Sequence, residues 1–335
     1  MTSIDQNQSA APELELTMLL QGIFMPYATK QRRKHYEPTG SHARFVHYTT
    51  AEAAIKIIKS KRIWMRNTTC MSDYREVTHG YDILRKFFGE NTNKEKFLKA
   101  LEECAPGVAM EAIKLFDQWF PDIQFNTYIT AVSEHVEEED LHGRLSMWRA
   151  FGGNVARVAI VLSVPWILED SKALDNLVFS PVAYLKEDEV FAELHAVVDK
   201  VRTNTAFLRS VDRKLILNFV FNMLMTGVVC LKHEGFREER EWRLIYAPKR
   251  LSSPFMEPST EIMGGIPQTI YKIPIDNTVA GIPGDLDLSK LFDRLIIAPS
   301  PYSWAMYESF VGALTEAGIA EAEKRVSIST IPIRT

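Results

Sequence analysis

The sequence predicts a mixed fold of the α+β class, with a largely antiparallel sheet at its core and helical insertions around it. Three observations lead to this prediction. Segments with strand character are spread over the whole chain, from residues 44–49 to residues 326–330. Helical segments interrupt them irregularly, which disfavours a regular doubly wound fold. No period repeats along the 335 residues, which disfavours a repeat architecture.

The first half of the chain begins with a strand that leads into a helix. Residues 44–49 have the β-branched and aromatic content of a strand. Thr49 and Glu52 have the spacing of a capping box, so a helix should begin directly afterwards. Apolar residues at helical spacing predict two or three amphipathic helices in an insertion at residues 74–120. The other strands predicted here cover residues 62–65 and 126–133.

The second half returns to strands after a second helical insertion. A helix is predicted at residues 141–151 and another at 304–317, with the insertion at 186–234. Strands are predicted at residues 155–164, 178–185, 241–247, 269–275, 294–298 and 326–330. Residues 1–40 are interpreted as a tail, a helix and a basic segment, and residues 41–335 as a single catalytic-type domain.

Composition and charge favour a cytoplasmic protein. The net charge of -4 provides no global field that would attract nucleic acid or a membrane. The three cysteines, Cys70, Cys104 and Cys230, are too widely separated for a disulfide framework, which fits a reducing compartment. The start of the chain lacks the pattern of an export signal. Residues 215–231 carry no formal charge, but their polar residues and marginal length predict a buried helix and no membrane association.

Several common kinds of site are not indicated. Glycine-rich loops with dinucleotide-binding or P-loop spacing are missing from the sequence. His79, His135 and His142 lack the spacing of a zinc protease and are interpreted as structural or surface residues. We expect no metal site.

One motif with polar residues in a strand is His47-Tyr48-Thr49. Alternation along a strand directs His47 and Thr49 to one face and Tyr48 to the other. A histidine and a threonine on one face could line a pocket. The alternative is a histidine satisfied within the core or at a sheet edge.

A second motif lies at the start of the strand at residues 241–247. Alternation would direct Glu239, Glu241 and Arg243 to one face, so that two carboxylates share it. The apolar run that follows indicates carboxylates at the end of a buried strand. The alternative is a salt-bridged sheet edge, where charges prevent aggregation.

A basic cluster near the start of the chain contains Arg32, Arg33 and Lys34, followed by the aromatic Tyr36. One interpretation is a solvated surface turn. The other is a patch that contacts phosphates while Tyr36 stacks on an unpaired base of RNA or single-stranded DNA.

In combination, these motifs resemble the AbiGi-like bacterial family of unknown function (domain of unknown function 2971), which includes abortive-infection proteins. The resemblance covers most of the chain, from His47 to about Pro301. The sequence departs from it at Ser72 and Tyr74, where the family usually has Asn and Pro. The matching positions are His47-Tyr48-Thr49, Trp64, the loop from Met71 to Glu76, Ser133, the segment from Leu145 to Gly152, Glu239-Arg240-Glu241-Trp242-Arg243 and Ile297-Ala298-Pro299.

The opening strand–helix pattern also resembles that of ADP-ribosyltransferases of the DarT and RNA phosphotransferase kind. This resemblance implies an ADP-ribosyltransferase-like fold with NAD as substrate and Glu241 as the catalytic carboxylate, which stabilises an oxocarbenium-like ribose. It implies that His47 holds the adenosine side of NAD, and that Tyr48 or Trp148 stacks on nicotinamide. Glu239 would orient or deprotonate the acceptor. Thr49 and Ser146 complete the implied NAD site, with Arg149 and Arg243 as pyrophosphate partners or, equally, members of an intrasheet ion pair.

The resemblances together imply an effector toxin of anti-phage defence that consumes NAD. Its acceptor is expected to be RNA or single-stranded DNA, with protein or water as alternatives, and an antitoxin or chaperone could control it. Two other interpretations stay open, namely a non-catalytic binding or sensor module and a nucleic-acid-processing effector. The first interpretation predicts that His47 and Glu241 lie in one cleft with Trp148 near its rim.

Overall fold

The structure is a computed structural model that describes residues 7–71, 75–150, 155–166, 174 and 176–332. The chain forms two compact units. The first unit comprises residues 1–34, 68–127 and 180–237, and the second comprises residues 35–67, 128–179 and 238–335. Both predicted helical insertions fall almost entirely within the first unit. Since a compact unit is not by itself a separately folding domain, the predicted division at residue 40 stays a prediction.

The helices largely follow the predicted order. Within the described residues the α-helices are α1 (Asn7–Phe24), α2 (Pro26–Tyr36), α3 (Ala51–Ser60), α4 (Arg75–Gly89), α5 (Asn91–Glu102), α6 (Val108–Phe125), α7 (Leu145–Ala150), α8 (Glu187–Thr203), α9 (Thr205–Leu208), α10 (Arg213–Val229), α11 (Leu288–Leu291) and α12 (Ser303–Glu316). The insertion at 74–120 therefore contains three helices, as the spacing of apolar residues predicts.

The strands form one large sheet and one small one. They are β1 (His42–Thr50), β2 (Arg62–Asn67), β3 (Tyr128–Glu134), β4 (Arg157–Pro165), β5 (Leu177–Pro181), β6 (Ala183–Tyr184), β7 (Leu231–Lys232), β8 (Glu241–Tyr246), β9 (Glu257–Met263), β10 (Ile266–Pro274), β11 (Phe292–Ile297) and β12 (Val326–Ile328). The large sheet has the order β12-β11-β4-β1-β3-β2-β10-β9, with β8 paired to both β3 and β5. Its described ladders are antiparallel except for β11 with β12. The predicted mixed, largely antiparallel α+β class is therefore confirmed.

The first unit is mainly helical and packs around α10. The uncharged segment at residues 215–231 is largely buried, as predicted, and ends in β7. Helix α4 lies so close to α10 that a Cβ added at Gly80 would be 2.8 Å from the carbonyl oxygen of Val228. Within the described ranges, no helix combines the length and apolar character needed to cross a membrane.

The second unit contains most of the large sheet and packs α3 and α12 against it. Helix α3 is capped by Thr50, whose Oγ1 accepts a hydrogen bond from the amide of Ala53 at 3.2 Å. The prediction of Thr49 as the cap is wrong by one residue, because the hydroxyl at the start of α3 that accepts this bond is that of Thr50. The core on this side is aliphatic, with Ile57, Ile58 and strand β4 residues at its centre.

Two segments differ from the prediction. Helix α7 is shorter than the predicted helix, and Phe151, Gly152 and Gly153 lie outside the described residues, as do Ser72, Asp73 and Tyr74 of the predicted loop. Strand β9 has no counterpart in the prediction. Its side chains are mostly exposed, so the sequence offers little apolar alternation to identify it.

Candidate functional site

Strand register divides the predicted site between the two faces of the sheet. Ser133 of β3 lies opposite Val46 of β1 on one side and Glu241 of β8 on the other. Directly opposed residues of antiparallel strands share a face. We call the face that carries Glu241 the glutamate face. The opposite face carries Phe45 and Trp242, and we call it the tryptophan face.

His47 lies on the tryptophan face. It is two residues after Phe45 and one after Val46, so strand alternation directs its side chain away from Glu241. The prediction that His47 and Glu241 share a cleft is therefore wrong. The prediction failed because the faces of His47 and Glu241 relative to each other depend on how three strands are aligned. A shift of one residue in that alignment moves a side chain to the opposite face.

The tryptophan face is aromatic. The rings of Phe45 and Trp242 have centroids 5.2 Å apart, and Trp242 Nε1 donates a hydrogen bond to Glu134 Oε1 at 3.0 Å. His47 is half-buried, and its Nδ1 lies 2.8 Å from the carbonyl oxygen of Ala131. Burial lowers the pKa of His47, and the Ala131 contact only partly opposes this effect. A neutral His47 that donates from Nδ1 to this carbonyl satisfies both observations, and Thr49 follows it on the same face.

On the glutamate face, Glu241 and Arg243 form a bidentate ion pair. Arg243 Nε donates to Glu241 Oε1 at 2.8 Å, and Arg243 Nη2 donates to Oε2 at 3.1 Å. The side chains are only 7% and 5% exposed for Glu241 and Arg243. The pair lies two residues apart on one strand, as alternation predicts, and it corresponds to the intrasheet ion pair that the sequence left open for Arg243.

Tyr48 of β1 and Trp148 of α7 pack together on the same face of the sheet, and each already has a hydrogen-bond partner. The Tyr48 hydroxyl accepts a hydrogen bond from the amide of Arg144 at 2.8 Å, and burial raises its pKa to about 12. The Tyr48 and Trp148 rings meet edge to face at 4.9 Å, and Trp148 Nε1 donates to the carbonyl oxygen of His142 at 2.7 Å. Both side chains are buried, so Trp148 does not lie at a rim, and neither ring presents a free face for nicotinamide.

The turn before α7 brings Arg144 into position. Gly143 has φ +66°, and a Cβ there would lie 2.7 Å from the Trp148 ring, so glycine is required on both counts. Arg144 is buried and uses all five N–H donors. It donates to both carboxylate oxygens of Glu139 and to the carbonyl oxygens of Glu134, Glu238 and Glu239.

Through these hydrogen bonds, Arg144 connects the end of β3 to the segment directly before β8. Arg144 was not predicted from the sequence, since three of its four partner residues bind it through backbone carbonyls, which carry no sequence signature. Its only signal was its place between a glycine and the apolar start of α7.

Glu239 does not continue the strand alternation of Glu241. It ends a 3-10 helix (Glu234–Glu239), and Arg240 between them has a left-handed backbone with φ +45°. The prediction that Glu239, Glu241 and Arg243 share a face is therefore wrong for Glu239, because this turn breaks the period of two before β8 begins. Arg240 instead donates to Glu139 Oε1 at 2.6 Å.

The remaining predicted site residues are scattered. Ser146 has a buried Oγ without a hydrogen-bond partner among the described residues, whereas Arg149 is exposed on α7. Arg33 and Lys34 are exposed and Arg32 is half-buried on α2, so the basic cluster is helical and not a turn. Tyr36 is buried and its ring meets Trp166 at 5.1 Å, so the prediction that it stacks on an unpaired base is wrong.

A second polar network on the glutamate side centres on Asp140. Its Oδ1 accepts from Arg44 Nη2 at 2.6 Å and lies 2.8 Å from His135 Nε2, and its Oδ2 is 3.2 Å from Arg294 Nη2. Burial alone would raise the pKa of Asp140, but the Arg44 and His135 contacts and the charge of Arg294 lower it. Burial lowers the pKa of His135. The His135 side chain is fully buried against Asp140, and its interpretation from sequence as a structural or surface residue stays a prediction. Among the described residues, no group of His, Cys, Asp or Glu side chains is arranged to hold a metal ion.

Comparison with known proteins gives one match. Residues 147–244 match the family model described as "Protein of unknown function (DUF2971)". This segment contains the predicted motifs of α7 and of Glu239 to Arg243, but not the His47 motif. Neither a curated protein nor a solved structure shows significant similarity to the chain. The resemblance predicted from the motifs is confirmed over residues 147–244, where the chain is similar to the DUF2971 family.

Proposed function

We propose that the chain transfers ADP-ribose from NAD, with Glu241 as its reactive carboxylate. The observation that carries the proposal is the buried Glu241–Arg243 pair at the start of β8. A guanidinium that holds both carboxylate oxygens keeps the carboxylate ionised and fixes its direction. A fixed anion in a site of low dielectric constant is the group that stabilises a developing cationic ribose.

The proposed reaction breaks the bond between C1 of the ribose and the ring nitrogen of nicotinamide. Nicotinamide leaves with the bonding electron pair, and the ribose becomes oxocarbenium-like. A lone pair of the acceptor then forms a new bond to this carbon, and the acceptor loses its proton to solvent or a base. Of the two hydrogen bonds that Arg243 Nε and Nη2 donate to Glu241, the one between Nη2 and Oε2 is the longer. We assign Oε2 to the ribose hydroxyls for this reason.

The geometry removes some residues from this site. His47 and Thr49 lie on the other face of the sheet, and Glu239 lies outside the strand. Tyr48 and Trp148 act by packing, which positions Arg144 and the entry to β8. The proposed site therefore depends on Glu241 and Arg243, and contact between His47 and NAD is no longer part of it.

The first experiment measures nicotinamide release and labelling by NAD that carries a radiolabel in its adenylate phosphate. The full chain is incubated with RNA, single-stranded DNA or bacterial protein, and the products are separated. Glu241→Gln should abolish release while NAD binding, measured by calorimetry, persists. Glu308→Gln is the matched control, because Glu308 is an exposed glutamate of the same unit.

The outcome separates catalysis from binding. Nicotinamide release by the wild type and Glu308→Gln but not by a folded Glu241→Gln supports the proposal. If the wild type releases no nicotinamide with any acceptor, or Glu241→Gln releases as much as wild type, the proposal is wrong. The alternative of a non-catalytic module has a specific observation in its favour, since both Glu241 oxygens are already bonded to Arg243.

For the biological role, we propose a growth-arresting defence effector whose acceptor is a nucleic acid. Expression in a bacterial host should arrest growth, and Glu241→Gln at matched protein level should relieve the arrest. For the acceptor, replacing Arg32, Arg33 and Lys34 together by glutamine should impair labelling of RNA or single-stranded DNA and leave NAD binding intact. The matched control replaces three exposed lysines of the same unit, namely Lys96, Lys99 and Lys114. Equal growth arrest by the Glu241 variant, or equal labelling by the two triple variants, would contradict these assignments.

A further inference from the structure

The second unit contains a basic cavity that the proposed transfer reaction does not use. It encloses about 440 Å³. Its polar lining consists of four basic side chains, one carboxylate and one hydroxyl, which are Arg44, Arg294, Lys324, Arg325, Asp293 and Ser163. Four positive charges and one negative charge therefore face the same space.

Sheet register explains why these side chains converge. Arg44 of β1 is paired with Ser163 of β4, and Arg294 of β11 is paired with Val161 of β4. Since Val161 and Ser163 are two residues apart, both arginines and Ser163 lie on one face. The β4–β11 register is irregular between Phe292 and Arg294, which leaves Asp293 at the irregularity.

Acidic neighbours hold the two arginines in place without cancelling the positive charge of the cavity. Asp140 binds both Arg44 and Arg294 from outside the lining, and Asp293 Oδ2 accepts from Arg44 Nε at 2.6 Å. The pKa of Arg44 is raised, because the contacts with Asp140 and Asp293 outweigh the opposing effect of burial. The guanidinium groups are thus charged and preorganised, which reduces the entropy lost when a ligand binds.

The cavity contains a hydrogen-bond donor for which the described residues supply no acceptor. Arg294 Nε is buried and has no hydrogen-bond partner within the described part of the chain, and the nearest recorded carboxylate oxygen, on Asp293, is 3.9 Å away. A buried donor without a partner requires an explanation, such as a ligand that supplies an acceptor. Oxygen atoms of a phosphate are suitable acceptors, because planar guanidinium groups bind them with charge-assisted hydrogen bonds.

We propose that this cavity binds the phosphate groups of a small phosphorylated molecule. Its volume lies within the range of small-molecule sites, about 300–1,000 Å³, and exceeds what a single phosphate fills. The inward carboxylate of Asp293 and the exposed Glu321 beside Lys324 disfavour a continuous nucleic-acid backbone. The proposal does not depend on NAD turnover, since its residues lie on β1, β4 and β11 and in the segment before β12, whereas Glu241 lies on β8.

The test is calorimetric titration of the full chain with inorganic pyrophosphate and with inorganic phosphate at constant ionic strength. We expect one saturable site, with pyrophosphate bound more tightly than phosphate. Arg294→Gln should weaken pyrophosphate binding by about tenfold or more, because it removes a charged donor. Lys59→Gln, which removes one positive charge from an exposed position of the same unit outside the cavity, should leave binding within about twofold of wild type.

A second variant protects the test against misfolding. Lys324 is exposed, so Lys324→Gln should fold normally and still weaken pyrophosphate binding several-fold. The proposal is overturned if neither probe binds saturably, or if Lys59→Gln weakens binding as much as Arg294→Gln does. It is also overturned if a single-stranded oligonucleotide displaces pyrophosphate completely at lower concentration, since the cavity would then be part of a nucleic-acid surface. Nicotinamide release is not a readout here, so failure of the proposed transferase function would leave the result unchanged.

Discussion

The Glu241–Arg243 pair offers a direct test of how the glutamate face is stabilised. Both side chains are less than a tenth exposed and are joined by two hydrogen bonds. Removing one partner from a buried ion pair deprives the other charge of the hydrogen bonds that this partner provides, at a cost of about 3–5 kcal/mol. We therefore expect Glu241→Gln and Arg243→Met each to lower the free energy of unfolding by this amount.

The double variant tests whether the two losses have one cause. When both charges are removed together, neither charge is left buried without the other. The free energy of unfolding of the double variant should therefore fall by less than the sum of the decreases in the two single variants. We expect a coupling free energy of about 2 kcal/mol, in the upper part of the range for residues in direct contact. The control is the exposed pair of Lys59 and Glu316, whose Nζ and Oε2 atoms are 3.8 Å apart. Glu316→Gln should unfold at the same urea concentration as wild type, because an exposed pair contributes little stability.

The assay is urea unfolding followed by tryptophan fluorescence, with the slope of each transition compared before midpoints are interpreted. For a slope of about 3 kcal/mol per M, each single variant should shift its midpoint by about 1 M or more. Single variants with wild-type midpoints would refute the argument that the pair is desolvated. Strict additivity in the double variant would refute the argument that the two charges compensate each other.

Three further predictions concern the supporting structure. Because burial lowers the pKa of His47 below the unfolded value of 6.5, the unfolded chain binds the proton more readily, and stability falls as pH drops below about 6.5. His47→Gln should reduce this loss of stability by up to about 1.4 kcal/mol per pH unit, whereas replacement of the exposed His42 should not. Urea midpoints measured at pH 7.5 and 5.5 test this difference. Gly80→Ala should lower the free energy of unfolding by about 1–3 kcal/mol, because its Cβ would lie 2.8 Å from the backbone of α10. Gly89→Ala, at a position with open space around it, should not lower it, and thermal melting compares the two variants. Arg144→Gln should accelerate hydrogen exchange at the first amides of β8, because it removes bonds to two carbonyl groups directly before that strand; unchanged exchange would contradict its role as a connection.

The elements of the fold were predictable where local chemistry decides them. Strand β1 has β-branched and aromatic residues, and α10 has an uncharged segment flanked by lysines, so both were identified from composition. Strand β9 was not, because a largely exposed strand shows little apolar alternation. The cap of α3 was misplaced by one residue, since two adjacent threonines offer the same hydroxyl and the sequence alone does not distinguish them.

The candidate site was less predictable because it depends on register and on single backbone angles. Alternation within β8 correctly placed Glu241 and Arg243 on one face, as the ion pair between them shows. It failed for Glu239, where the left-handed Arg240 interrupts the strand period. It could not relate His47 to Glu241, since their relative faces are determined by the alignment of β1, β3 and β8.

The two faces of the sheet differ in the kind of interaction that they can make with a ligand. On the tryptophan face, Phe45 and Trp242 are fully packed among other rings, and the Nδ1 atom of His47 is hydrogen-bonded to a backbone carbonyl. On the glutamate face, charged groups are buried and held by ion pairs, both at Glu241 and at the Arg44 and Arg294 network. Burying charge costs stability unless a partner compensates it, whereas aromatic packing contributes stability directly. Aromatic packing stabilises both faces, through Phe45 and Trp242 on one and through Tyr48 and Trp148 on the other. The buried ion pair of Glu241 and Arg243 lies on the glutamate face, which is where we propose that a charged ligand group is recognised.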